Sequence, residues 1–353
     1  MWLSGLPNVA VRRALGVFFR LGLIGAAAIA SRAGLLTAGA RAQALARPAH
    51  AQSVGIWTVP EVGALPRDAS GLEIRKGRDL ITATYAYIGP DVADASNRYA
   101  GNNLACSNCH LEAGTKKFGL PLFGLYSDFP QYSARTGGEI SIEDRVNSCM
   151  RRSMNGRELP TDAPEMQAIV AYIKFISSGV APDQRLPGLG TGKMPELNRA
   201  AEPVRGEPLY LRDCAACHNS QGSGERQGIP GSDFGYVFPP LWGPSTFNDG
   251  AGMARIITLA NFIHFNMPHG VDYLDVQVSV DDAWDIAAYV LSHPRPHLAG
   301  LEHDFPDLLS KPVDTPYGPY ADHFSELQHK YGPFQPIVAE IERLRRDHSS
   351  HAR

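Results

Sequence analysis

The sequence predicts a mainly α-helical protein of two tandem domains, joined by a Pro/Gly-rich linker and followed by a Pro-rich C-terminal wrap. Three observations carry this. A Cys-x-x-Cys-His unit occurs twice, as Cys106-Ser-Asn-Cys109-His110 and as Cys214-Ala-Ala-Cys217-His218. Each copy is flanked by segments whose apolar residues recur at helical spacing. Between the copies, residues 178–202 hold Pro182, Pro187, Gly188, Gly190, Gly192 and Pro195, which is linker composition. A chain of 353 residues is long enough to bury two cores.

Residues 1–51 read as a signal peptide. They contain Arg12, Arg13, Arg20, Arg32, Arg41 and Arg47 and no Asp, Glu or Lys. The first three arginines form a basic n-region, and Leu21–Ala30 is an apolar stretch too short to span a bilayer. Small-x-small sites end at Ala44 and Ala51. Cleavage after Ala51 starts the mature chain at Gln52 and sends it to the periplasm. The competing reading is an uncleaved anchor extended through Ala33–Ala40, against which Arg32 interrupts the apolar run. The whole chain has a formal charge of −3; removing those six of its 33 basic residues leaves 27 against 36 acidic ones, a formal −9. That balance excludes an overall nucleic-acid footprint and favours basic or neutral partners.

In the first domain (residues 52–180), Gly71–Ile88 carries Leu72, Leu80, Ile81, Tyr85 and Ile88 at helical spacing. A closing helix is expected over Asp162–Ser177. Asp162 would be its N-cap, with Glu165 three residues on as in a capping box. Met166, Ile169, Val170, Ile173 and Ile176 would form its buried face. After the linker (181–203), the second domain (204–298) opens with the shorter Val204–Leu211. It closes with a helix capped by Ser279, with Trp284, Ala287, Ala288 and Leu291 as its stripe. Ile169-Val-Ala-Tyr172 and Ile286-Ala-Ala-Tyr289 repeat each other, and Gly77 and Gly206 stand in the corresponding opening helices. A residue without a side chain there lets the aromatic of the closing helix approach. The extension (299–353) keeps Phe305, Tyr317, Tyr320, Phe324, Tyr331 and Phe334 among its prolines, too many aromatics for a disordered tail. An irregular wrap over the domains is expected, with the polar stretch Ile341–Arg353 fraying.

The paired units read as c-type haem attachment. Cys106 and Cys109, and Cys214 and Cys217, would bond a porphyrin through two thioethers, and His110 and His218 would bind the two irons. Zinc sites of this kind need further Cys or His ligands at short spacing, and neither unit has them. The domains are therefore expected to be class I-like cytochrome c folds holding two covalent haems c. The sixth ligand of the first iron is open. His110 is the only His between Gln52 and His218, which leaves Met150, Met154, Met166, Cys149 or a Lys. Spacing favours Met154 slightly; Cys149 would give an anionic thiolate and a lower potential. For the second iron Met253, Met267, His264 and His269 are available, and Met267 precedes Pro268 in an extended loop.

Arg135, Arg145, Arg151, Arg152 and Arg157 cluster around the lone Cys149. In an acidic mature protein this is an unusual concentration. Arginine forks suit oxyanions, and nearby positive charge favours the thiolate. A small, doubly charged sulfur oxyanion is a suitable guest.

Three segments resemble the thiosulfate dehydrogenase family of dihaem cytochromes c. They are Arg145-Val-Asn-Ser-Cys-Met-Arg-Arg-Ser-Met-Asn-Gly-Arg157; Phe247-Asn-Asp-Gly-Ala-Gly-Met253 with Asn266-Met-Pro268; and Lys311–Tyr320 with Gln328–Phe334. The resemblance covers about Gly71–Ile337. It implies coupling of two thiosulfates to tetrathionate, reversibly in some members, and a His110/Cys149 pair at the first haem. It also implies that Arg135, Arg145, Ser153 and, by position, Arg152 hold substrate. Some members have a Lys before the ligand Met of the second haem and switch between the two. Here that residue is Asn266, so plain His218/Met267 ligation is implied, with electrons leaving to a soluble or fused cytochrome. The alternative from the residues alone is a tandem electron carrier without substrate chemistry. That reading predicts Met154 as ligand and indifference to Arg135 and Arg145. A dihaem peroxidase would need distal acid–base groups that a first domain without a second His does not offer.

Overall fold

The computed structural model describes residues 57–181, 184, 186–228 and 235–351. The signal segment 1–51 and its cleavage sites lie outside the described residues. The first cytochrome domain opens with α1 (Ala69–Thr82) and α2 (Thr84–Ile88). A single turn, α3 (Leu111–Gly114), follows the first Cys-x-x-Cys-His unit, and α4 (Ile142–Arg152) and α5 (Pro164–Ile176) complete the domain. The second contains α6 (Pro203–Asp213), the turn α7 (Ala215–His218), α8 (Ile256–Asn266) and α9 (Val280–Ser292). Two short antiparallel hairpins are β1–β2 (Gln131–Ser133 with Gly138–Ile140) and β3–β4 (Glu225–Arg226 with Tyr236–Phe238). Among the described residues no helix is long and apolar enough to cross a membrane.

The expected opening helix is two helices. Ala83 leaves the helical region (φ −139°, ψ 44°), and Thr84 holds the break. Its hydroxyl donates to Leu80 O at 2.6 Å and accepts from Cys106 N at 3.0 Å, so the haem-attachment turn is tied to α1. The cap of α5 also differs from the expectation. Ala163 occupies the N-cap and Pro164 the first turn, where its missing N–H costs no hydrogen bond. Glu165 pairs with Lys76 of α1 at 2.8 Å instead of completing a capping box. Ser279 does cap α9, accepting from Asp282 N at 3.1 Å.

The internal repeat is a pair of equivalent helix crossings. A Cβ on Gly77 would stand 1.9 Å from Ala168 O and 2.7 Å from Tyr172 Cβ. On Gly206 it would stand 1.9 Å from Asp285 O and 2.8 Å from Tyr289 Cβ. Glycine is the residue that permits both contacts. Around the first crossing, Leu80, Met166, Ile169, Tyr172 and Ile176 are buried, while Val170 is only half-buried. Around the second, Tyr210, Ile256, Trp284, Ala287 and Leu291 form the core. Each large side chain so buried stabilises the fold by about 1.5–3 kcal/mol relative to exposure.

The domains share a contact surface. Cys109, Leu111 and Leu120 pack on the second core, and Tyr236 of β4 packs on the first. The C-terminal extension is irregular only as far as Ser325. It then forms α10 (Glu326–Tyr331) and α11 (Gln335–His351), so Ile341 onward is helical through His351 and does not fray. The reason is a stripe at i, i+4 and i+7: Ile337 and Ile341 are buried in the second core and Leu344 packs against it.

Candidate functional site

The site begins with α4. Ser141 and Asp144 cap it reciprocally, Ser141 N donating to Asp144 Oδ2 at 2.9 Å and Asp144 N to Ser141 Oγ at 3.1 Å. Starting the helix there sets the phase that follows. Arg145, Cys149 and Arg152 fall at i, i+4 and i+7, on one face, with Ser153 as C-cap. Arg145 Nη1 lies 3.2 Å from Cys149 Sγ. Burial works against ionisation of that thiol, but the Arg145 guanidinium and His110 outweigh it and bring Cys149 down to about 6.

His110 enters from the opposite side. Its Nδ1 donates to Leu120 O at 2.5 Å, which fixes the tautomer and leaves Nε2 as a free lone pair. His110 and Cys149 together line an apolar cavity walled by Leu104, Leu122, Met150 and Met154 and, from the second domain, Phe247 and Met253. This corrects one expectation: Met253, a candidate for the second iron, belongs to the first cavity. The cavity opens into a cleft of about 870 Å³ lined by Arg135, Arg145, Arg151, Arg152, Ser153 and Cys149. Arg135 comes from the turn of the β1–β2 hairpin. Arg157, the fifth arginine of the sequence cluster, points elsewhere. It donates to Ser96 O at 2.7 Å and Arg98 O at 3.1 Å and stacks on Tyr99. Arg151 is paired with Glu158 at 3.0 Å.

Two residues of the extension went unnoticed in the sequence. Asp304 accepts from Arg135 Nη1 at 2.6 Å and from Arg152 Nη2 at 2.8 Å, and Tyr317 donates its hydroxyl to Asp304 at 2.7 Å. Burial disfavours the Asp304 carboxylate, yet Tyr317, Arg135 and Arg152 hold it below the usual range. Arg152 also donates to Gly250 O at 3.2 Å, and Asn248 donates from its backbone N to Arg152 O at 3.1 Å. The second domain and the extension thus finish the first domain's site.

In the second domain His218 repeats the arrangement, its Nδ1 donating to Pro239 O at 2.8 Å. Met267 follows α8 and packs against the second core. His264 Nδ1 donates to Val278 O at 2.7 Å. Asn266 is buried and donates to Phe118 O at 2.9 Å, across the domain contact.

The residues fit a covalent haem in each domain. Burial pushes the Cys106 thiol up to about 11 and the Cys109 and Cys214 thiols up to about 12, an apolar setting that disfavours thiolate and hence a zinc site. Among the described residues, no three His, Cys, Asp or Glu side chains converge as metal-ion ligands. Arg152 Nε is a buried donor without a protein partner at the mouth of the cleft, suited to a propionate or an oxyanion.

Comparison with known proteins agrees. The SoxA/TsdA cytochrome c domain family matches residues 95–181, and the cytochrome c family matches residues 203–294. A thiosulfate dehydrogenase of Allochromatium vinosum is 42% identical over 243 residues, which are 68% of this chain and 84% of that protein. One from Stutzerimonas stutzeri is 38% identical over 237 residues, 67% of this chain and 72% of that protein. The solved thiosulfate dehydrogenase TsdBA of Marichromatium purpuratum superposes with a TM-score of 0.61 at 32% identity. The alignment takes in 69% of this chain and spans half, 50%, of that one. Two cytochrome c domains with these relatives carry two covalently bound haems c. The chain belongs to the thiosulfate dehydrogenase family of dihaem cytochromes c.

Proposed function

We propose that this chain couples two thiosulfates to tetrathionate in the cleft beside Cys149. The observation that carries the reading is the convergence of Arg135, Arg145 and Arg152 on the one cleft that also holds Cys149 and His110. Residues 52–180 would form the catalytic domain and 204–298 the electron exit. Cys106, Cys109, Cys214 and Cys217 would hold the haems, with His110/Cys149 and His218/Met267 as iron ligands. When bound, each haem accepts one electron, so the pair stores the two that coupling releases.

The chain's own residues supply the rest. Two dianions repel, and bringing them together needs fixed positive charge in a partly water-excluded site. Arg135, Arg145 and Arg152 provide it, and Ser153 offers a hydroxyl at the same wall. The Cys149 thiolate bonds the outer sulfur of one thiosulfate, giving Cys–S–S–SO3⁻ and releasing two electrons. A second thiosulfate attacks that outer sulfur, tetrathionate leaves, and Cys149 returns as thiolate. Electrons pass to a soluble or fused cytochrome outside this chain. The reaction belongs in the periplasm, to which residues 1–51 would send the protein.

Acid quenching during turnover followed by intact-protein mass spectrometry tests the covalent step. A thiosulfate-sized adduct mapped to Cys149 is expected. Steady tetrathionate production with no such adduct at any quench time would refute covalent holding by Cys149.

A further inference from the structure

We infer that Asp304, brought in by the C-terminal extension, is a positioning residue for the oxyanion site of the first domain. The inference rests on the proposed role of Arg135 and Arg152 in holding the substrate dianion.

The geometry is that of one carboxylate shared between two guanidinium groups. Oδ2 takes Arg135 Nη1 at 2.6 Å, and Oδ1 takes Arg152 Nη2 at 2.8 Å. The separation of the two arginines is therefore set by the width of a single carboxylate. Tyr317 closes the arrangement, donating to Asp304 Oδ2 at 2.7 Å while accepting from Arg135 Nη1 at 2.9 Å. The backbone adds a further tie, Phe305 N donating to Arg135 O at 2.8 Å, with the Arg135 guanidinium 5.0 Å from the Phe305 ring centroid. Both side-chain contacts of Arg135 use Nη1, so its Nε–Nη2 edge stays available to an anion at the cleft. Without Asp304, two cations at one mouth would repel, and Arg135, on a hairpin turn, would lose the anchor that aims it.

Charge and position make opposite forecasts here. Asp304→Asn raises the positive charge of the cleft by one unit. If only net charge mattered, dianions would bind more tightly. If Asp304 positions the arginines, they bind more weakly. The amide can accept from one arginine but cannot serve both with anionic oxygens.

The test uses holo-protein of the parent, Asp304→Asn and the milder Tyr317→Phe. Two measurements are made on each: steady-state thiosulfate oxidation with ferricyanide as acceptor, and calorimetric titration with sulfate as an unreactive dianion. For Asp304→Asn we expect KM to rise about tenfold with kcat little changed, and sulfate affinity to fall by a similar factor. Tyr317→Phe should move both quantities the same way by about threefold. Haem spectra should match the parent's throughout. An unchanged or lowered KM with unchanged or tighter sulfate binding overturns the inference, as does a parent that binds no sulfate. A parent that oxidises no thiosulfate, yet binds sulfate more tightly than Asp304→Asn does, overturns the proposed function and leaves Asp304 as the positioning residue of an anion site.

Discussion

Replacing Arg145 with Ala is expected to lower kcat/KM for thiosulfate by about tenfold. Arg145 lies one helical turn from Cys149, its Nη1 3.2 Å from the sulfur. A hydrogen bond to an ionised partner contributes about 1.5–3 kcal/mol. Arg145 is an exposed residue, so solvent and salt screen it and the lower end of that range applies. About 1.4 kcal/mol corresponds to a factor of ten in rate. Arg145→Lys keeps the charge and loses the planar fork, so it should recover only part of that factor. The assay is initial-rate kinetics at low and high ionic strength. Added salt should slow the parent more than Arg145→Ala, because the variant has lost a screened interaction. A kcat/KM for Arg145→Ala within twofold of the parent at low salt would refute the claim that this guanidinium acts on the thiolate or on substrate.

Two further expectations concern the scaffold. Gly206→Ala places a methyl group 1.9 Å from the Asp285 carbonyl oxygen, a backbone atom that cannot step aside. The cost should reach the upper end of overpacking, about 3 kcal/mol, read as a lower thermal midpoint of the holo-protein. Lys311 is buried among the rings of Phe305, Tyr317 and Tyr320, and burial holds it down to about 8, partly offset by Asp304. Below that pH it is protonated in both folded and unfolded chains. Between about 8 and its unfolded value near 10.4, the unfolded chain binds the extra proton, so this residue's contribution to stability rises with pH across the window. Urea midpoints at roughly pH 7.5 and pH 9.5 should therefore improve more for the parent than for Lys311→Met. An equal change in both proteins would contradict the assignment.

What the sequence made legible was local. The Cys-x-x-Cys-His units, the glycine–aromatic pairs Gly77/Tyr172 and Gly206/Tyr289, and the Ser279 cap all depend on short spacings. The arginine cluster was visible because α4 itself carries Arg145, Cys149, Arg152 and Ser153. Asp304 was hidden because its partners are far away in the chain, 169 residues back to Arg135 and 152 back to Arg152. It also sits in a Pro-rich stretch with no periodicity to announce a role. Asp162 looked like a cap by composition, but Pro164 sets the start of α5 one residue later, at Ala163. The last helix was missed for a different reason. Its polar surface outweighed a three-residue apolar stripe, Ile337, Ile341 and Leu344, whose burial against the second core makes the segment helical. Sites assembled from distant segments are set by tertiary packing, which leaves little local trace in the order of residues.

The central claim is that thiosulfate is oxidised at Cys149. The most direct test mixes oxidised holo-protein with thiosulfate under anaerobic conditions and follows haem reduction in a single turnover, with Cys149→Ala alongside. The account predicts prompt reduction of both haems in the parent, with one tetrathionate formed per protein, and no reduction in the variant. Equal reduction in both proteins, or in neither, would contradict it.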